Sequence, residues 1–139
     1  MIMATILTTT LLAAPTAAPA DGGVDVTPTT YTGKHYEPEW EAWRKCVVWR
    51  ESRDNPKAAN RTSTARGLYQ FLDSQWRRSW TYMLMPEHRD QRETVRDLRG
   101  EPIHKWPRYW QDAAFWTVLR DGRGAKHWNY GSSCTAVKP

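Results

Sequence analysis

Two cysteines, Cys46 and Cys134, are the only ones in this 139-residue chain, and they stand 88 residues apart. Neither has a second cysteine nearby, so a zinc knuckle is excluded. In an oxidising compartment such a pair reads as a disulfide. Closing so long a loop would stabilise the fold by about 4 kcal/mol on the chain-entropy model. In a reducing compartment the same residues would be two unrelated thiols.

The amino terminus speaks to the compartment. Residues 1–20, MIMATILTTTLLAAPTAAPA, carry no charged side chain and close in Ala18-Pro19-Ala20 before Asp21. This is the outline of a secretory signal peptide with a small-residue cleavage site, although no Lys or Arg supplies a positive start. Thr and Pro interrupt the run, which argues against a stable membrane span. The expected location is extracellular, secreted or associated with the cell wall. One small domain remains, and the formal net charge of +5 belongs to it. Basic secreted proteins are drawn to acidic polymers.

From Asp21 to Glu37 the chain is rich in Gly, Thr and Pro without apolar periodicity, so it reads as a flexible leader, with order beginning near Pro38. Trp40, Trp43 and Val47 recur at helical spacing and predict an amphipathic helix to about Glu51. Residues 54–66 read as a loop. A second helix is expected from Asp73 or Ser74 through Tyr82, and a short polar one over Asp90–Leu98. Pro107 followed by Trp110, Ala113, Ala114 and Thr117 predicts another, ending near Asp121-Gly122. No segment alternates convincingly enough for a strand. A single, mainly α domain over residues 38–139 follows, with Trp40, Trp43 and Trp110 in its core.

Chemistry concentrates at the end of the first helix. Glu51-Ser52, Asn55-Pro56, Ala59-Asn60, Ser63, Ala65 and Gly67-Leu68-Tyr69-Gln70-Phe71 resemble the E-S-x-x-N-P-x-A...S-x-A-x-G-L-x-Q motif of the lysozyme-like lytic transglycosylases. Those soluble transglycosylase domains are related in fold to the resuscitation-promoting factors. Ala114 to Trp128, with the cysteine pair, fits the closing part of that domain loosely. The resemblance implies a lysozyme-like fold and cleavage of peptidoglycan glycan strands by one glutamate, Glu51. That residue would act first as acid and then as base, with the sugar's N-acetyl group assisting and an anhydro-muramic end as product. A hydrolytic, lysozyme-type outcome stays open. By the same resemblance Tyr69 and Gln70 lie against the glycan, while Ser52, Asn60 and Ser63 buttress the loop or bind sugar. Leu68 and Phe71 read as core.

The residues themselves support an acid at position 51. A carboxyl at a helix carboxyl end meets the negative pole of the macrodipole, and neighbouring Trp side chains withdraw it from water; both disfavour the charged form. Such an acid can protonate a glycosidic oxygen. Asp54, Asp73, Asp90, Asp97 and Asp112 have no motif-supported place as a second carboxylate.

Two positions depart from the family pattern. Arg53-Asp54 stand where a pair of glycines is usual, adding charge beside the expected cleft. Ser63-Thr64-Ala65 replaces Ser-Gly-Ala, which is expected to restrict a turn that glycine eases. Both bear on substrate preference more than on activity.

The four histidines are scattered without ligand spacing, so neither a metal nor another cofactor is expected. The expected partner is peptidoglycan, met by a monomer. Two competing readings are a wall-binding domain of the same fold without catalysis, and a basic single-stranded nucleic-acid binder with interleaved Trp. The apparent export signal, the cysteines and the lack of a continuous basic stripe argue against nucleic acid.

Overall fold

The computed structural model describes residues 25–128 and 134–139; the expected signal peptide over residues 1–20 lies outside them. The described residues contain four α-helices, α1 (Glu41–Ser52), α2 (Asp73–Leu84), α3 (Arg92–Leu98) and α4 (Arg108–Leu119), with short 3-10 turns linking α2 to α3 and α3 to α4. A two-stranded antiparallel hairpin, β1 (Ala65–Arg66) and β2 (Phe71–Leu72), sits between α1 and α2. The domain is mainly helical, as the periodicity predicts. Among the described residues no helix is long and apolar enough to cross a membrane.

A 3-10 turn over Pro38–Trp40 leads into α1, with Pro38 supplying a preset first turn. Trp43, Val47 and Val48 are buried along one face. The helix stops where Arg53 turns left-handed (φ 55°) and donates its N–H to the Trp49 carbonyl at 3.1 Å. Pro107 sets up α4, which is almost wholly buried from Trp110 to Leu119 and forms the axis of the core. Its Phe115 stacks on Tyr69, ring centroids 4.4 Å apart, and Trp128 packs against both. At about 1.5–3 kcal/mol per fully buried large apolar side chain, this aromatic cluster is a principal source of stability. Leu68 and Phe71 belong to the same hydrophobic core, as does each Trp placed there from periodicity.

Cys46, in α1, and Cys134, near the carboxyl end, are bridged, with 5.7 Å between their Cα atoms. The bond pins the closing 3-10 turn Thr135–Val137 to α1.

The expected flexible leader is a correction. Residues 25–37 pack on the domain: Val26 and Tyr31 are fully buried, and the threonines between them hydrogen-bond across the fold. Thr27 gives its amide and hydroxyl to Asp54, and Thr30 gives both of its own to Asp112 at 2.8 Å. The Tyr31 hydroxyl and the Lys34 amide donate to Glu87. Periodicity cannot see such a segment, because it is anchored residue by residue and not along a face.

The hairpin is the second feature absent from the sequence reading. Two-residue strands are too short to alternate, and the pairing rests on turn geometry at Gly67 (φ 77°) and Gln70 (φ 48°).

Candidate active site

Glu51 occupies the last turn of α1 and lines a cleft of about 320 Å³ between that helix end, the hairpin and α2. Asn60 and Gln70 supply polar groups to the lining; Leu72, Trp76, Trp80 and Trp128 supply apolar surface. Trp76 and Trp80 stack on one face of α2, 5.7 Å between centroids, and His127 meets Trp76 edge-on. Burial, and then Lys126, lower the affinity of the His127 ring for a proton, so near neutral pH it offers the cleft an uncharged imidazole.

The Glu51 side chain is one-fifth exposed. Arg50 Nε and Nη2 both donate to its Oε1, at 2.9 and 2.7 Å, and Nη2 also reaches the Trp128 carbonyl. A cation thus joins the carboxylate to the far wall of the cleft, a feature the macrodipole argument omits. Trp49, two residues before Glu51, is 38% exposed and carries the Arg53 guanidinium over its ring.

Beside Glu51, two of the expected sugar-facing residues line the cleft in a settled geometry. Asn60 takes its N–H to the Ala65 carbonyl and caps the Thr62 amide with Oδ1 at 2.8 Å, a local Asx turn. Gln70 holds a left-handed backbone and donates Nε2 to the Gly67 carbonyl at 3.0 Å.

Three others are placed differently. The Ser52 hydroxyl is buried and donates to the Val48 carbonyl one turn back in α1. Ser63 is exposed outside the cleft lining, its Oγ accepting from the Ala65 amide. Tyr69 borders the cleft, but its ring is core and its hydroxyl donates to buried Asp112 while accepting from Arg44 Nη1. Burial, reinforced by Asp112, keeps that phenol protonated. The side chains of Ser52 and Tyr69 therefore support the loop from inside. Helix-end and core positions compete for such residues in a way that a motif does not display.

The support beneath the loop comes from α4. Gln111 accepts the Leu68 amide on Oε1 at 2.8 Å and donates Nε2 to the Pro56 and Trp106 carbonyls. Asp112, beside it, gathers Tyr69 and Thr30 and lies 3.8 Å from Arg44. Neither residue stands out in sequence, since both sit within an apolar helical pattern. The signal available was their polarity on a helix otherwise destined for the core.

The two departures from the family pattern resolve differently. Arg53 and Asp54 both adopt left-handed conformations (φ 55° and 61°), which glycine enters at little cost and other residues at about 1–2 kcal/mol. Asp54 is held there by Thr27 and by Arg108, which donates both Nη groups to Oδ1. Its charge is spent on the domain's interior ties and does not line the cleft. Thr64, in contrast, has no left-handed backbone; it accepts the Asp73 amide on its carbonyl, so no glycine is needed there.

Among the described residues no carboxylate other than Glu51 lines the cleft: Asp54, Asp73, Asp90, Asp97 and Asp112 are all absent from its lining. Among the described residues no cluster of His, Cys, Asp or Glu could hold a metal ion. The chain matches no family model, no curated protein and no solved structure with which it was compared.

Proposed function

We propose that this is an exported peptidoglycan-cleaving enzyme in which Glu51 is the single acid and base. The observation that carries the reading is the coincidence of one carboxylate with an aromatic cleft. Among the described residues Glu51 is the only carboxylate in a lining that also offers Trp76, Trp80 and Trp128 to the apolar faces of a sugar and Asn60 and Gln70 to its hydroxyl and amide groups.

One carboxylate selects among glycosidase chemistries. Both common schemes place a second carboxylate across the scissile bond, to activate water or to attack the sugar. Here that partner is missing from the cleft, which favours intramolecular chemistry on the substrate: Glu51 protonates the leaving oxygen, the N-acetyl group stabilises the anomeric carbon, and the resulting carboxylate then takes the proton from an internal hydroxyl. The Arg50 pair on Oε1 must rearrange, or leave Oε2 to carry the proton, when a strand enters.

That ion pair is also what favours a second reading, a wall-binding domain of the same architecture in which Glu51 is structural. Mass spectrometry of purified peptidoglycan after digestion separates the two. Anhydro-muramic ends support the transglycosylase, reducing ends the hydrolase, and intact strands that retain bound protein the binding domain.

A further inference from the structure

We propose a second binding site, for a phosphate dianion, on the side of the 53–60 loop formed by the entry to α4. An open pocket of about 570 Å³ is walled by Pro56 and Pro107 and carries Lys57, His104, Lys105 and Arg108. It shares no lining residue with the Glu51 cleft.

Among the described residues three cations line the pocket and no carboxylate does. Arg108 is already committed, since both Nη groups donate to Asp54. Lys105 has only a long contact of 3.9 Å to Glu101, with both side chains more than half exposed, which is worth little. Lys57 has no carboxylate partner among the described residues. Independently, His104 Nδ1 is buried without a hydrogen-bond partner. An unpaired buried ring nitrogen is costly, and a turn of the imidazole in the pocket wall would relieve that cost by bringing an N–H to a ligand oxygen.

Charge selects the ligand class. A monocarboxylate could match one ammonium and leave the other lysine unanswered. Phosphate carries about −1.5 to −2 near neutral pH and offers several acceptor oxygens, enough to engage Lys57, Lys105 and His104 together while Arg108 contributes field from behind. The same group occurs as free phosphate and at the end of a phosphomonoester.

The test is a chemical-shift titration of the full chain with inorganic phosphate, with glycerol phosphate, and with acetate at matched ionic strength. Saturable shifts at Lys57, His104 and Lys105 with either phosphate, and none with acetate, are expected. Tighter binding of glycerol phosphate assigns the site to an ester; equal or weaker binding assigns it to the free anion. The double variant Lys57→Gln/Lys105→Gln changes two exposed side chains and should fold normally by circular dichroism. It should bind phosphate about a hundredfold more weakly, about tenfold per charge-assisted bond. Shifts that never saturate, or that the double variant leaves unchanged, overturn the proposal without touching the reading of the Glu51 cleft.

Discussion

Two carboxylates three residues apart do opposite things. Glu51 faces the cleft, whereas Asp54 turns back into the domain to hold Thr27 and Arg108. If Glu51 is the sole acid and base, Glu51→Gln keeps the shape and loses the transferable proton. Peptidoglycan cleavage should then fall by about a hundredfold or more, with wall binding intact; release of soluble fragments at close to the wild-type rate would exclude the proposed chemistry. Asp54→Asn should show the reverse. Asparagine tolerates the left-handed backbone and still accepts from Thr27, but it loses the charge that Arg108 meets. Urea titration should record about 1–2 kcal/mol of lost stability, while cleavage per folded molecule stays near wild type. Equal damage to catalysis at both positions would point to a second carboxylate in the mechanism.

At the scale of elements, the hairpin and the start of α2 make the cleft floor, and α4 holds them in place. Gly67 is the contact point. Its backbone is left-handed, and an added Cβ would lie 2.4 Å from Gln111 Oε1. Gln111 has no room to yield without breaking its bond to the Leu68 amide or to the Pro56 and Trp106 carbonyls. Gly67→Ala should therefore cost about 2 kcal/mol or more, and amide exchange should quicken first at Leu68. A variant as stable as the parent would mean that the loop does not depend on Gln111. The helices were legible in the sequence because each buries a face at regular spacing: Trp43, Val47 and Val48 in α1, Ala113, Ala114 and Thr117 in α4. The hairpin was not, since two-residue strands leave no alternation to read. Of the cleft, Glu51, Asn60 and Gln70 were legible through the motif. Trp76, Trp80 and His127 were not, because their meeting depends on how α2 and the Arg123–Trp128 turn pack.

The whole molecule is closed at both ends, by the disulfide behind and by the Thr-rich segment in front. Reduction of Cys46–Cys134 should lower stability by about 4 kcal/mol on the chain-entropy model, read as a fall in the thermal midpoint under reductant; an unchanged midpoint would show that the closing turn is redundant. The front closure responds to a different variable. Residues 27–34 hang from Asp54, Asp112 and Glu87. Burial alone would raise the Asp54 and Glu87 carboxyls. Hydrogen bonds from Thr27 and Arg108 at Asp54, and from Tyr31 and Lys34 at Glu87, outweigh it and hold both below their ordinary values. A carboxylate depressed in the folded state contributes stability above its unfolded value and loses it as pH falls through the folded one. The segment should therefore be secure near neutral pH and loosen below about pH 4. Hydrogen exchange, corrected for intrinsic rates, should show the Thr27 and Lys34 amides losing protection on acidification before the amides of α4. Simultaneous loss throughout the chain would mean that the segment does not release separately, and that its anchors are no weaker in acid than the core they close.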